Sequence, residues 1–335
     1  MIISDKQELR RCVKQLVRRA DVCEADLSFD VARGEVGVAA MMSLWARQGA
    51  TPADAFERTT ADQTPFSEDA VATFAVLDAM DLPVRDLNRA EAMQSEYERP
   101  AYIREVLDTM RAKCVLVHVN MEQSQEIQFE DNRFEPLLDV DDQLFVPGRY
   151  GVDYAFAAGR IAEAASACGA KNICVSGYDQ QSLMYCVLPA CQDAGLALHI
   201  HLKSKAEIDA FSALLDQFEG VRALVSADAE AEMHLIDAAS KCVRMLVLLS
   251  DESHIRMALS KLGTRFVPFS AHAVLPEQML GRWLNAKEII WQALCEAYLP
   301  LARAGYELNS SAIERDVRRL LSGNLLALCR PDNVY

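Results

Sequence analysis

The sequence predicts an α/β protein folded as a single (β/α)8 barrel, the TIM-barrel class, with a helical insertion after the first strand. Three observations predict it. Eight short apolar runs recur along the 335 residues, and helical stretches fall between them. The runs are continuously apolar rather than alternating, as strands covered on both faces require. Beyond residue 170 a strand-then-helix unit repeats at a spacing of roughly 25 residues. A doubly wound sheet usually has fewer strands, and no glycine-rich first turn is present to support one.

The strands are expected at 20–28 (ADVCEADLS), 114–120 (CVLVHVN), 143–148 (QLFVPG) and 172–178 (NICVSGY). The other four are expected at 196–202 (LALHIHL), 221–227 (VRALVSA), 243–250 (VRMLVLLS) and 265–270 (RFVPFS). Helix starts are signalled between them. Ser204 with Glu207 three residues on forms a capping box, and Pro276 opens a long amphipathic segment. The stretch 29–112 is too long for one crossover. It reads as several helices, among them SEDAVATFAVLDAM and RPAYIREVLDTM, and is taken as an insertion within one domain spanning 1–335.

Composition narrows the function. Hydrophobic residues make up 51% and the net charge is −15, which suits a cored globular chain and opposes wrapping a polyanion. No apolar run has the length of a membrane span. The charged start of the chain lacks a signal-peptide pattern, so a cytoplasmic protein is expected. The ten cysteines form no CxxC pair. Reduced buried thiols are the plain reading, and structural zinc has little support from spacing. The sequence points to a small-molecule substrate, no nucleic acid and no membrane, with homo-oligomerisation left open.

In this fold chemistry gathers where the strands end. The first strand offers Glu24 and Asp26, which strict alternation would put on one face. The second offers His118 and Asn120. Arg149 follows the third, and Tyr178 and Asp179 end the fourth. The fifth carries His199, His201 and Lys203, the sixth Ser226 and Asp228, and the eighth Ser270 and His272. Each has a plainer role too: core histidines bonded to carbonyls, and helix-cap residues such as Ser250, Asp251 and Asp228. His234 and His254 fall in helices and read as surface residues. No GxSxG, GxxxxGK[ST], HExxH or GxGxxG is present. The loops after strands seven and eight lack glycine, which argues for a non-phosphorylated ligand.

Three stretches resemble the amidohydrolase superfamily, and its uronate isomerase-like members in particular. LPACQDAGLALHIHLKS is similar to a segment that ends in a metal-ligand histidine, which would be His201. RFVPFSAHAVLPEQMLGRWLNAKEIIWQAL resembles strand eight and its helix, and RRLLSGNLLALC resembles the closing helix. The family pattern is altered here. Glu24-Ala25-Asp26 stands where His-x-His is usual, and His272 stands at the strand-eight aspartate. The resemblance therefore implies one of two things. Either exchanged ligands (Glu24, Asp26, His201 and His272) hold one divalent metal, zinc or manganese, or the site has eroded and none is bound. An active protein would isomerise a sugar acid or hydrolyse a related small substrate. His272 would be the proton shuttle. His118, Arg149, Tyr178, His199 and Lys203 would contact the substrate. The alternative is an inactive relative that serves as a binding or interaction protein.

Overall fold

The computed structural model describes residues 5–28, 36–37, 40, 68–83, 98–125, 127–140 and 153–330. Eight strands form one sheet in sequence order: β1 (Val22–Leu27), β2 (Ala112–Asn120), β3 (Phe134–Asp139), β4 (Asn172–Val175), β5 (Ala197–Leu202), β6 (Ala223–Ala227), β7 (Met245–Leu248) and β8 (Phe266–Val267). Every neighbouring pair is parallel. The seam between β8 and β1 is closed by the segment that follows β8. Leu27 bridges to Ala273, Ser28 N–H donates to Ala273 O at 2.8 Å, and Ala273 N–H donates to Asp26 O at 3.3 Å. The result is the expected (β/α)8 barrel.

One strand was misplaced. β3 is FEPLLD at 134–139, not the run at 143–148, which lies outside the described residues. Glu135 and Pro136 interrupt the apolar pattern, and a proline argues against a central strand because it cannot donate to the ladder. Here Pro136 nevertheless pairs with Val117 of β2, in a strand that ends in Asp139 beside Asn120.

The helices are α1 (Lys6–Arg19), α2 (Glu68–Ala79), α3 (Arg99–Met110), α4 (Tyr154–Cys168), α5 (Leu188–Ala194), α6 (Lys205–Leu215), α7 (Ala229–Lys241), α8 (Ile255–Leu262), α9 (Pro276–Arg303), α10 (Ser310–Arg318) and α11 (Asn324–Cys329). Two of the helices expected within 29–112 are present as α2 and α3; the segments 41–50 and 51–67 lie outside the described residues. The expected caps hold. Ser204 accepts from Glu207 N–H at the start of α6, and Pro276 stands at the first position of α9.

Buried apolar residues separate into two layers. The outer one lies between strands and helices, and includes Leu27, Val115, Ile200, Phe211, Leu280 and Trp283. The inner one fills the ring with Cys23, Ala25, Cys114, Leu116, Leu137, Leu224 and Leu248, and ends on Leu325, Leu328 and Cys329 of α11. The interior is thus a packed core with α11 across its amino-terminal end. Asn324 fixes that plug by donating to Thr264 O at 2.6 Å and Phe266 O at 2.8 Å. Among the described residues no helix is long and apolar enough to cross a membrane.

Candidate active site at the carboxyl mouth

The mouth is shaped by a β-bulge. Glu24 pairs with Val115 and Leu27 with Val117, so three steps of β1 oppose two of β2. An extra residue re-aims the side chains that follow it. Glu24 therefore faces outward, while Ala25 and Asp26 both line the cavity at the strand ends. The expectation that Glu24 and Asp26 share a face fails for this reason.

Glu24 is completely buried. Its Oε1 accepts from Ala25 N–H and Asp26 N–H, each at 3.0 Å, from Ala271 N–H at 3.1 Å and from the Ser270 hydroxyl. Its Oε2 accepts from Trp283 Nε1 at 2.7 Å and Ala271 N–H at 3.0 Å. Burial pushes the carboxyl above its ordinary value, and these donors pull against that. One carboxylate thus satisfies the N–H groups of the bulge and ties them to the segment after β8. Removing one buried partner leaves the others unsatisfied, so Trp283 cannot be treated as apolar filler.

Asp26 meets two imidazoles. Its Oδ1 is 3.0 Å from His118 Nε2, and its Oδ2 is 2.6 Å from His272 Nδ1. His118 Nδ1 in turn lies 2.6 Å from Asp139 Oδ1. Both nitrogens of His118 face carboxylate oxygens, so both carry protons and donate. Burial opposes that charge, but Asp139 and Asp26 overcome it and push the His118 pKa up to about 10. Burial likewise opposes ionisation of Asp26, yet the hydrogen bonds from His118 and His272 hold its carboxyl well below the usual range. His272 is raised, chiefly by its bond to Asp26 and against burial. Its backbone is left-handed, with φ 45°. That conformation costs a non-glycine residue energy and is concentrated at functional sites.

On the far side of the ring, His201 Nε2 is 2.8 Å from Asp228 Oδ1 and its Nδ1 is 3.0 Å from Ser226 Oγ. Deeper down, His199 is buried, with Nε2 3.3 Å from Asn172 Oδ1. Desolvation, helped by the positive charge of His118, lowers its pKa to about 3. It is a neutral residue of the cavity floor. The cavity measures about 290 Å³ and is lined by Asp26, His118, Cys174, His199, His201, Ser226 and His272 among others. That is room for roughly ten waters at about 30 Å³ each, the scale of one monosaccharide.

The other sequence candidates lie elsewhere. Tyr178 and Lys203 do not line the cavity. Lys203 is exposed and its N–H donates to Glu207 at 2.7 Å. Arg149 lies outside the described residues. His254 is not a surface residue: its Nδ1 lies 2.6 Å from the buried Glu232. Asp139 and Cys174 were missed. Asp139 could have been found as the polar residue that ends the run EPLLD, once that run is read as a strand.

Of the four proposed metal ligands, only Asp26 and His272 have side chains in direct contact. Glu24 has both oxygens enclosed on the outer side, and His201 has both nitrogens engaged with Ser226 and Asp228. In the mouth, the described residues whose ligand atoms all lie within 4.8 Å of one another are His118, Asp139 and Cys174. Both nitrogens of His118 are engaged by Asp139 and Asp26, so His118 has no lone pair free in this arrangement. These residues do not fit a resident divalent metal, and no chemical step is assigned to one.

The linked pair Asp26–His118 makes stability depend on pH. A histidine raised from 6.5 to about 10 stabilises the fold fully below pH 6.5 and stops doing so as pH rises through about 10. A lowered aspartate stabilises above its ordinary 3.8 and fails only as pH falls well below that. Denaturant midpoints are therefore expected to be highest between about pH 4 and 6.5 and to decline from pH 7 to 10. His118→Gln should flatten that decline; an unchanged slope would show that His118 is not charged in the fold.

A ring of eight parallel strands, with helices outside it, is the architecture of a (β/α)8 barrel. Two solved structures share it over nearly their whole length. A uronate isomerase from Bacillus halodurans C-125 superposes with a TM-score of 0.80 at 17% identity, covering 98% of this chain and 97% of that one. A uronate isomerase from Thermotoga maritima gives a TM-score of 0.61 at 9% identity, covering 96% and 97%. At such identities the likeness establishes the fold. No protein-family model and no curated protein sequence matches the chain.

Proposed function

We propose that the mouth isomerises a small sugar acid between its aldose and ketose forms, the reaction class for which the two structural neighbours are named. The observation that carries this reading is the Asp26–His272 pair at the edge of the cavity. Asp26 fixes the proton on Nδ1 of His272. Among the described residues Nε2 is bonded to no protein group, and His272 lines the cavity. A carboxylate that orients an imidazole makes the far nitrogen a general base and stabilises the imidazolium that forms.

In the forward direction His272 Nε2 takes the proton from the carbon beside the aldehyde, leaving an enediolate with its charge on the aldehyde oxygen. The hydroxyl proton passes from the second oxygen to the first. His272 then returns its proton to the terminal carbon, which yields the ketose. The Ser226 hydroxyl, on β6 across the ring and held by His201 Nδ1, offers a polar contact to those oxygens.

Incubation with D-glucuronate or D-galacturonate in D2O should give ketose carrying deuterium from solvent, followed by NMR. His272→Gln should reduce the rate by about 10²–10⁴-fold. Absence of both product and exchange with the folded wild-type chain, across a panel of uronates, would falsify the proposal.

A further inference from the structure

At the opposite end of the barrel the chain gathers three cysteines. Cys23 on β1 and Cys114 on β2 are register partners, and Cys329 is the last residue of α11. All three are buried, at 1%, 0% and 0% exposure. Glu135, at the start of β3, completes the group: the ligand atoms of Cys114, Glu135 and Cys329 all lie within 4.8 Å of one another. Arg330 binds Glu135 Oε1 through its guanidinium.

We propose that this floor site holds one zinc ion through Cys114, Cys329 and Glu135, with the neighbouring Cys23 as fourth donor. The donor set is the first argument. Two or three sulfurs and a carboxylate suit a borderline-soft ion in tetrahedral coordination, and disfavour calcium and magnesium.

Spacing is the second. Sulfurs around zinc at about 2.3 Å stand roughly 3.8 Å apart, so Cys114, Cys329 and Glu135 need a contraction of no more than about 1 Å, and Cys23, outside that group, has further to move. Charge is the third. The thiols give up their protons on binding; Cys23, Cys114, Cys329 and Glu135 then carry four negative charges, which one zinc ion and Arg330 together reduce to −1.

No CxxC pattern announces the site, because its ligands come from three strands and a helix about 190 residues beyond the last of them. Bound zinc would clamp α11 against the first three strands. Because these residues lie at the end of the barrel opposite the mouth, the inference stands independently of the proposed reaction.

Cobalt is a suitable probe. Full-length protein, reduced and stripped of metal, is titrated with Co²⁺ under anaerobic conditions. One equivalent should bind with the thiolate-to-cobalt charge-transfer band and the visible spectrum of a tetrahedral ion. Zinc should displace it stoichiometrically. Cys114→Ser and Cys329→Ser should each lower bound metal at least tenfold, and Cys295→Ser, on α9, should leave it unchanged. The wild-type spectrum decides the matter even if a variant fails to fold. Less than a tenth of an equivalent bound, a spectrum without sulfur ligation, or retention of metal by both folded variants would overturn the proposal. So would a Cys114–Cys329 disulfide in protein kept under reductant.

Discussion

Asp26→Asn should lower kcat for uronate isomerisation by about 10³–10⁴-fold while changing KM far less. An amide at this position is uncharged and presents one donor and one acceptor to two imidazoles. The acceptor can hold only one of His118 Nε2 and His272 Nδ1. If it holds His118, the amide NH2 faces His272 and forces the proton onto Nε2, the nitrogen required as the base. The imidazolium of His272 also loses its counter-charge. The diagnostic readout is the pH profile. In the wild type the acidic limb, along which the rate rises as His272 loses its proton, reflects a His272 raised by Asp26; in the variant that limb should shift towards lower pH. A fall in rate of less than tenfold, with an unshifted profile, would remove Asp26 from the chemistry.

Glu24→Ala should be the most damaging single change to stability, by about 3–5 kcal/mol. The alanine leaves the indole N–H, a serine hydroxyl and three backbone N–H groups without their acceptor in a site closed to water. Glu24→Gln should recover only part of the loss. In either orientation its NH2 points at donors: at Trp283 in one, at the backbone of the bulge in the other. Melting curves should show the wild type highest, Gln roughly 1–4 °C below it and Ala roughly 4–7 °C below it. A Gln variant as stable as the wild type would mean that this carboxyl is protonated and already donates a bond.

The barrel was legible because its signal is repetitive. β2, β4, β5 and β6 carry enough buried Val, Ile and Leu to mark themselves. β3 was not legible, because Glu135 and Pro136 look like loop residues until their neighbours are known. Asp139 was lost along with it, and so was half of the clamp on His118. The first strand misled for another reason. Alternation places Glu24 and Asp26 together, but the bulge that separates them is defined by a partner strand about 90 residues away. No local pattern encodes that. His201 and His272, placed at strand ends by the sequence, line the cavity. Their partners Asp228 and Asp26 were visible as residue types but not as contacts.

The closure at the seam also bears on how the chain is made. Asp26 and His272 are 246 positions apart. At about 5–20 residues per second, roughly 12–50 s separates the synthesis of one from that of the other. Over that interval β1 is the free margin of a growing sheet, a surface that can pair with another nascent chain. Glu24 faces outward from that margin with none of its later partners from 270–283 yet made. A hydrated charge there discourages strand addition by a stranger. The same carboxylate later becomes the buried post on which the finished ring is fastened, so one side chain guards the unfinished edge and then closes it.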